Sequence, residues 1–537
     1  MFKDNDRLNY ALTNLIWDRT MKKLPVGIQT FSELIEENYV YIDKTKIIYN
    51  MITTGKCYFF ARPRRFGKSL LVSTLTNIFS GRKELFEGLA IRDLSFEWKE
   101  YPIIKLTLSD IPCTSGEIFE EGIRLYLQDI AQYHGITLET TTPVQALQKL
   151  VKTLSKNNRV VLLIDEYDYP ILQHINNALL AEKMRDILKD FYIAIKGLDE
   201  YLKFIFFTGV SKFSKTSLFS GLNNLEDISL NNRYNNLVGY TKTEIITFFK
   251  EHLEDISEKN NISMHELLNK ITQWYDGYQF TKHTAAEKIY NPFSVLLCLK
   301  NNNFSNYWFA TGTPTFLINL LKAKNYPIQD FDHIEATEIE LGTFDIDTIP
   351  LKTLLFQTGY LTIHHYNSET NNYVLTFPNL ETSTSLMEHI FASMTHSSGA
   401  FLNTIIGSLV KMFNDETLES LHGILTQLFA MVPYTIHINE EKYYQTIFYL
   451  ILKMVGADII VEQPTNIGRI DAVLQTKKTY FIIEFKINTS AAVAIAQIKS
   501  KKYYQSYKGL GKKIILVGIA FDTTLKNVSE VSYKAIE

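Results

Sequence analysis

The sequence predicts an α/β protein with a parallel sheet in its first half and a second, smaller α/β domain near its end. Three observations support this fold class. An apolar run at residues 57–61 leads into a Gly-Lys-Ser tripeptide and then a segment whose apolar residues recur at helical spacing. A second apolar run, at 160–164, ends in two carboxylates, as expected of a central strand covered on both faces. Two further strand-like segments, 467–474 and 479–486, carry charged residues among apolar ones.

The first strand, the loop and the helix start form a candidate nucleotide site. The loop ends like the phosphate-binding motif G-x-x-x-x-G-K-[ST], with Arg62 where that motif has its first glycine. Backbone N–H groups and the dipole at a helix start attract an anion. Gly67 would let the backbone approach the phosphates. Lys68 would reach the β- and γ-phosphates, and the Ser69 hydroxyl would ligate Mg²⁺.

The second strand ends in Asp165 and Glu166. Residues that act in parallel sheets lie at the carboxyl ends of strands. Asp165 is therefore placed to hold Mg²⁺ through water, and Glu166 is placed to polarise the attacking water. The alternative is a buried strand that runs out into a solvated acidic loop. The Gly-Lys-Ser helix start favours the site over that alternative.

A third apolar run at 203–207 and a fourth at 103–108 fit the same sheet. The third run leads to Thr208 and Ser211, either of which could sense the γ-phosphate. A threonine that caps a strand end and a serine in a turn are equally compatible with the sequence.

Five segments share the pattern of one family: Arg62-Pro-Arg-Arg-Phe-Gly-Lys-Ser69, Leu163-Ile-Asp-Glu-Tyr-Asp168, Phe207-Thr-Gly-Val-Ser-Lys-Phe213, Trp274-Tyr-Asp-Gly-Tyr278 and Tyr290-Asn-Pro-Phe-Ser-Val295. They resemble the AAA-ATPase-like family of bacterial proteins over roughly residues 20–330. The resemblance implies a P-loop NTPase domain with a helical appendage, and binding of ATP with Mg²⁺. The residues expected around the nucleotide are Arg62, Arg65, Phe66, Gly67, Lys68, Ser69, Leu70, Asp165 and Thr208, with Ser69 and Asp165 at the metal.

Arg62 is the departure from the general phosphate-loop motif. An arginine adopts the positive φ of a glycine only at a cost, which leaves ATP hydrolysis open. In the family that the chain resembles, this form of the loop is usual. Arg62 could instead add a cation near the phosphates.

The two strand-like segments near the end carry a second candidate site. Side chains alternate along a strand, so Glu484 and Lys486 share one face. Burying charge is costly and needs a reason. Asp471 on the preceding segment supplies one, because two carboxylates can hold Mg²⁺ and a lysine can activate water or stabilise charge on the phosphate. A surface salt bridge across the strands is the alternative, and it would not explain the apolar flanks.

Asp471, Glu484 and Lys486 resemble the active site of the PD-(D/E)XK nuclease superfamily, over roughly residues 431–520. The resemblance implies a restriction-endonuclease-like core in the order helix, hairpin, helix and strand. The corresponding segments here are 441–452, the hairpin, 491–507 and 513–518.

The same resemblance assigns residues on the two helices. Glu441 is the acid of the first helix, with Glu440 as a substitute. Gln497 and Lys501 are the accessory positions of the second helix. With Tyr504 they are spaced i, i+4 and i+7, which predicts one shared helix face.

Charge separates the last domain from the rest of the chain. Residues 431–537 hold 14 Lys and Arg against 9 Asp and Glu, whereas the whole chain has a net charge of −3. A basic domain fits a phosphate-backbone partner, either DNA or RNA. The densest cluster is Lys499, Lys501, Lys502 and Lys508, interleaved with Tyr503, Tyr504 and Tyr507. A solvated helix face is an equally good explanation of that cluster.

The 537 residues predict about three domains. The expected boundaries are an N-terminal extension (1–20), the P-loop ATPase-like domain (21–235), the helical appendage (236–330), a connector (331–430) and the nuclease-like domain (431–537). Three scattered cysteines favour a reducing cytoplasm and argue against a zinc site. No apolar run is long enough for a membrane helix, so no membrane partner is expected. A homo-oligomer is compatible with the sequence.

The sequence therefore predicts an ATP-binding, and by Glu166 an ATP-hydrolysing, protein whose nucleotide state regulates a Mg²⁺-dependent nuclease. The expected catalytic residues are Glu166, Glu441, Asp471, Glu484 and Lys486. The alternative is a nucleotide-regulated module that binds nucleic acid or protein without cutting. The complete acid, acid and lysine set favours the enzyme, since binding alone does not need it.

Overall fold

The computed structural model describes residues 21–212, 218–219, 222, 224–283, 285–308, 334–342, 350–395, 399–432, 441–454, 458–465 and 468–536. The expected N-terminal extension, 1–20, lies outside these residues, as does Phe213. The chain divides into two compact units. The first comprises Met1–Gly312 with His333–Asn379, and the second comprises Thr313–Asp332 with Leu380–Glu537. The predicted connector, 331–430, is thus divided between the two units, and the predicted domain boundaries stay predictions.

The first unit is built on a parallel sheet, as predicted. Its strands are β1 (Cys57–Ala61), β2 (Ile103–Thr107), β3 (Val160–Asp165), β4 (Leu202–Gly209) and β5 (Glu226–Asp227). Their order is β2-β3-β4-β1-β5, and each adjacent pair is parallel. The loop strand β1 and the Asp-Glu strand β3 are therefore not neighbours, because β4 lies between them.

Helices connect these strands and extend beyond them. In the first unit they are α1 (Phe31–Glu36), α2 (Thr45–Thr54), α3 (Lys68–Phe79), α4 (Gly116–Tyr133), α5 (Pro143–Leu154), α6 (Tyr169–Gln173), α7 (Ala178–Lys196), α8 (Lys242–Phe248), α9 (Lys250–Lys259), α10 (Met264–Tyr275), α11 (Pro292–Asn301), α12 (Glu338–Gly342) and α13 (Leu351–Thr358). Local signals start several of them. The Thr142 side chain caps α5 ahead of Pro143, and Thr241 with Glu244 forms a capping box at α8.

The sheet has an apolar helix layer on each face, because its central strands alternate buried side chains to both sides. Helices α4, α5 and α7 pack with Ile205 and Phe207 of β4 in one core. The opposite face carries Phe204, whose ring lies 5.2 Å from that of Phe79 in α3. Helix α3, which follows the phosphate-loop motif, thus covers the second face.

The helical appendage has its own core. Helices α8 to α11 bury one cluster that also includes Val40 and Ile42 from the segment before α2. The buried Lys44 side chain also forms an ion pair with Glu244 at the start of α8, with Nζ 2.6 Å from Oε1. The appendage is therefore packed against the chain that leads into the sheet.

A small antiparallel sheet completes the first unit. It contains β6 (Ile334–Thr337), β7 (Thr362–Asn367) and β8 (Asn372–Thr376) in the order β6-β8-β7. The turn before β7 packs on the phosphate loop, since a Cβ at Gly359 would lie 2.7 Å from Pro63 Cβ. Trp308 Nε1 donates to the Arg64 carbonyl at 3.1 Å. Gly359, which lies in the predicted connector, therefore packs directly against the phosphate loop.

The second unit contains the predicted smaller α/β domain. Its helices are α14 (Leu380–Thr395), α15 (Gly399–Asp415), α16 (Leu421–Ala430), α17 (Glu441–Met454) and α18 (Ala491–Ser500). Its strands are β9 (Asp458–Thr465), β10 (Gly468–Gln475), β11 (Thr479–Ile487), β12 (Lys513–Asp522) and β13 (Asn527–Ile536), in the order β13-β12-β11-β10-β9. Only β11 and β12 pair in parallel. The helix, hairpin, helix and strand order was predicted, whereas the outer strands β9 and β13 were not.

Helix α18, the second helix of the predicted nuclease-like core, is shorter than predicted. The sequence suggested a helix from 491 to 507, but α18 ends at Ser500 and a 3₁₀ turn occupies Tyr503–Tyr507. Lys502 between them has φ 51°, in the left-handed region that stops a helix. Tyr504 therefore does not continue the helix face of Gln497.

Candidate functional site

The phosphate loop of the first unit has the backbone that an anion site needs. Gly67 precedes α3 with φ 93°, and no side chain caps the helix. The first-turn N–H groups are therefore left for a ligand. A Cβ at Gly67 would meet nothing within 4 Å, so positive φ is what requires glycine here. Arg65 is the second residue of the loop with positive φ, at 68°.

Lys68 points back across the loop. Its Nζ donates to the carbonyls of Arg62 and Pro63, both at 2.9 Å, and the residue is 7% exposed. Burial lowers the pKa of Lys68 to about 8, although the Asp165, Asp168 and Glu166 carboxylates act in the opposite direction. Lys68 also lines the cavity beside the loop, together with Ser69 and Glu166.

The structure brings the predicted metal-binding pair together. The Ser69 hydroxyl lies near enough to the Asp165 carboxylate to affect its pKa. Burial raises the pKa of Asp165, while the Ser69 hydroxyl and Lys68 lower it. Glu166 follows with φ 53° and lines the same cavity as Lys68 and Ser69. A hydroxyl and a carboxylate at this position are oxygen donors of the kind that Mg²⁺ prefers.

Arg62 lies elsewhere, which corrects the expectation that it adds a cation beside the phosphates. Its side chain is 1% exposed, and Nη1 donates to the carbonyls of Ala61 at 2.9 Å and Ser229 at 2.6 Å. The guanidinium also lies 4.5 Å from the Phe60 ring centroid and 4.3 Å from that of Phe280. Arg62 has no positive φ, so the cost foreseen for that conformation does not arise. The Arg62 side chain therefore packs inside the protein and stabilises the loop through these hydrogen bonds and ring contacts.

The other loop residues face a cavity of about 450 Å³. Phe66 and Leu70 line it, and the Arg65 guanidinium lies 4.6 Å from the Phe293 ring centroid at the start of α11. Arg64 also lines the cavity, although the sequence analysis did not single it out. The remaining walls come from 25–48, 166–173, 237–240 and 292–296. The helical appendage therefore forms part of the cavity wall.

Thr208 ends the strand that lies beside Asp165. Ile164 pairs with Phe207, so Asp165 and Thr208 occupy the next register position, on the face covered by α3. Thr208 is 0% exposed and does not itself line the cavity. Within the described residues its hydroxyl has no hydrogen-bond partner. Such a buried hydroxyl costs about 1–3 kcal/mol, which a bound group could offset.

Asp168 is a functional candidate that the sequence analysis missed. It is buried, lines the cavity, and accepts hydrogen bonds from the Ser211 N–H at 2.6 Å and the Ser211 hydroxyl at 2.5 Å. Ser211 is therefore engaged with Asp168, and a Cβ at Gly209 would overlap that carboxylate. The signal available in the sequence was its position three residues after Asp165. Through its hydrogen bonds to Ser211, Asp168 links the segment after β4 to the loop after β3.

In the second unit the hairpin brings Asp471 and Glu484 together. The β10–β11 pairing ends at Ala472 and Ile483, and Asp471 and Glu484 come next on the two strands. Asp471 Oδ2 accepts the N–H of Phe485 at 2.7 Å, which replaces the ladder bond. Glu484 is 1% exposed, and Lys486 Nζ lies 3.3 Å from its Oε1.

The two predicted accessory residues, Gln497 and Lys501, have different surroundings. The Gln497 amide donates to Glu484 Oε1, which places α18 against the carboxylates. Lys501 follows the end of α18 and is exposed. Glu441 begins α17, and its side chain lies outside the described residues, as does Glu440.

Tyr503 is a further neighbour of this site that the sequence analysis treated only as part of a basic patch. Burial raises the pKa of its hydroxyl, and the Glu484 and Asp471 carboxylates raise that pKa as well. The nearby Gln497 side chain acts on that pKa in the opposite direction. The left-handed turn at Lys502 brings it there, which helical spacing could not show.

The residues present fit a magnesium ion. Mg²⁺ takes oxygen ligands, often one or two carboxylates with water and substrate phosphate. Asp471 and Glu484 supply that set, and Gln497 and Lys486 orient Glu484. Throughout the described part of the chain, no group of three or more His, Cys, Asp and Glu could hold a metal. A site here would therefore need water or phosphate to complete it.

Comparison with known proteins agrees with this geometry. A family model described as "Predicted AAA-ATPase" matches residues 25–219, and one described as "PD-(D/E)XK nuclease superfamily" matches residues 439–531. A relative from Azotobacter chroococcum mcd 1, named "Uncharacterized protein in vnfD 5'region", is 35% identical over 520 residues, covering 94% of this chain and 98% of the relative. The chain belongs to the same family as this relative, with an AAA-ATPase-like domain followed by a PD-(D/E)XK nuclease superfamily domain. Both predicted resemblances are confirmed.

Two solved structures are similar to this AAA-ATPase-like protein at low scores. The Aeropyrum pernix ORC2 protein in ADPNP and ADP complexes has a TM-score of 0.26 at 12% identity, over 64% of this chain and 93% of that one. Drosophila ORC bound to poly(dA/dT) DNA and Cdc6 has a TM-score of 0.20 at 10% identity, over 80% and 70%. Neither similarity carries an inference about function. Among the helices described here, none has the length and apolarity to span a bilayer.

Proposed function

We propose that this AAA-ATPase-like protein binds and hydrolyses ATP with Mg²⁺, and that its nucleotide state regulates a Mg²⁺-dependent nuclease in the second unit that acts on nucleic-acid phosphodiesters. The single observation that supports the nuclease best is the buried Glu484, held between Lys486 and Gln497 beside Asp471. A buried carboxylate with these neighbours is costly as a purely structural feature.

In the first unit each residue has a distinct task. The N–H groups at the start of α3 and Lys68 bind the phosphates. Glu166 orients the attacking water and accepts its proton. Asp168 holds the end of β4, and with it Thr208, in place.

In the second unit Lys486 and Glu484 act on one phosphodiester. Lys486 orients water near the carboxylates and stabilises charge that develops on the phosphate oxygens. Asp471 and Glu484 would hold the metal, with Gln497 fixing the orientation of Glu484. Bound Mg²⁺ would supply Lewis-acid stabilisation of phosphate oxygens at both sites.

The nucleotide half of the proposal is tested by two substitutions. Lys68→Ala removes the cation and should abolish ATP binding measured by calorimetry. Glu166→Gln keeps the size of the side chain and should spare binding while reducing phosphate release on the order of 10²-fold or more. Unchanged ATP affinity in Lys68→Ala would refute this half.

The nuclease half is tested on plasmid, linear and single-stranded DNA and on RNA, with Mg²⁺ or Mn²⁺, and with or without ATP. Lys486→Ala should stop cleavage. Asp471→Asn should also stop it while leaving the fold intact, because an amide oxygen can still accept the Phe485 N–H. Lys477→Ala, an exposed residue in the β10–β11 turn, should cut normally. Loss of cleavage in Lys477→Ala as well would remove the support for this site.

The non-cleaving binding module is the alternative. It predicts that the full chain binds nucleic acid without cutting and that Asp471→Asn leaves affinity unchanged. A calorimetric metal titration separates the two, since the nuclease should bind Mn²⁺ in a way that Asp471→Asn abolishes.

A further inference from the structure

The three arginines of the loop have three different environments. Arg62 is buried behind the loop, and Arg65 lies over the Phe293 ring. Arg64 is exposed and lines the 450 Å³ cavity with Lys68 and Glu166. Within the described part of the chain, its guanidinium has no ion pair or side-chain hydrogen bond. Arg64 is thus the one of these three whose side chain is not engaged.

The backbone of Arg64 is nevertheless held firmly. Its carbonyl accepts a hydrogen bond from Trp308 Nε1 at 3.1 Å. The preceding Pro63 has a fixed φ, its carbonyl accepts a hydrogen bond from Lys68 at 2.9 Å, and its ring abuts Gly359. The backbone of Arg64 is thus fixed in place, while its guanidinium stays available to a ligand that enters the cavity.

The charge of Arg64 acts at the phosphate end of the cavity. Burial is the main cause of the lowered pKa of Lys68, and the charge of Arg64 adds a smaller effect in the same direction. Two cations that face one cavity repel each other, and an anion between them removes that cost. An arginine also offers several N–H donors in a planar fork that matches phosphate oxygens, which a lysine does not.

We propose that Arg64 is a catalytic residue that contacts the γ-phosphate of ATP, so that the loop itself supplies the arginine that stabilises charge during hydrolysis. This rests on the proposed ATPase function and assigns a role within it. An arginine supplied in this way needs no partner subunit, so turnover should not depend on protein concentration.

The test compares ATP and ADP in the full chain. Arg64→Ala should weaken ATP binding by about tenfold or more, leave ADP binding within about twofold, and reduce kcat on the order of 10³-fold. Arg64→Lys should restore part of the ATP preference but little of kcat, because the planar fork is missing. Arg159→Ala, which removes an exposed arginine before β3, should match the unmodified protein.

The outcomes are separable. Equal weakening of ATP and ADP, or normal turnover in Arg64→Ala, overturns the role of Arg64 while leaving the ATPase proposal standing. A fall in kcat per subunit on dilution overturns the claim that the loop alone supplies the arginine. If the unmodified protein binds no ATP, the proposed function itself fails, and Arg64 loses its role with it. Thermal unfolding of Arg64→Lys controls for misfolding.

Discussion

At the scale of single residues, the buried Lys68 sets the electrostatics of the nucleotide site. Its ammonium now donates to two loop carbonyls, and burial lowers its pKa to about 8. Bound triphosphate would raise that pKa, because opposite charge favours the protonated form. Binding would then take up a proton in the pH range above about 8.

We therefore expect ATP affinity to fall as pH rises through about 8, by at most tenfold per pH unit for one proton. Affinity falls with rising pH because the ATP-bound protein holds the proton on Lys68 more tightly than the free protein does. Titrations with ATP between pH 7 and 9.5, in buffers of different ionisation enthalpy, would measure both the affinity and the proton uptake. Lys68→Arg serves as the control, since an arginine does not titrate here. An affinity that is flat with pH in the unmodified protein would contradict this account.

Residue identity alone predicted some of this site and not all of it. The helix start at Gly67, Lys68 and Ser69 was predicted and is where α3 begins, because a glycine with positive φ before a helix is a local requirement. The roles of these residues at a nucleotide stay predictions. Arg62 and Arg64 could not be separated in the same way. Both are loop arginines, and only the packing of Phe60 and Phe280 around Arg62 decides which one is buried.

At the scale of elements, the turn that ends α13 supports the phosphate loop. Gly359 has φ 94°, and a Cβ there would lie 2.7 Å from Pro63. We expect Gly359→Ala to lose about 1–3 kcal/mol from positive φ and to lose more from the displaced Pro63. ATP affinity should fall as well. Thermal unfolding and ATP titration would measure the two effects.

An exposed helical glycine provides a control of opposite sign. Gly407 lies within α15, and a Cβ there would meet nothing within 4 Å. Gly407→Ala should stabilise the protein by about 1 kcal/mol through helix propensity. If Gly359→Ala unfolded at the temperature of the unmodified protein, the turn would not be a support of the loop.

The sequence predicted which segments are strands and helices better than it predicted which strands are adjacent and where helices end. The buried runs at β1, β3 and β4 were evident because each is continuously apolar. That β4 lies between β1 and β3 was not evident, since strand order depends on contacts between distant segments. The end of α18 was missed because its left-handed stop is Lys502 rather than a glycine.

At the scale of the whole molecule, two units each hold a sheet and buried apolar clusters of their own. We expect two unfolding transitions in scanning calorimetry. Mg²⁺ with a non-hydrolysable ATP analogue at about 100 times its Kd should stabilise one of them by about 2.7 kcal/mol. The shift should vanish in Lys68→Ala and persist in Asp471→Asn. A single transition in all conditions would contradict independent units.

The sequence by itself determined the fold class, the glycine, lysine and serine at the start of α3, the carboxylates at the end of β3, and the shared face of Glu484 and Lys486. These follow from local rules of spacing, backbone conformation and burial. Only the tertiary structure decided that Arg64 rather than Arg62 faces the cavity, that Asp168 holds Ser211, and that Tyr503 reaches the second site. Each of these depends on side chains from distant segments meeting in space, which no local pattern in the chain specifies.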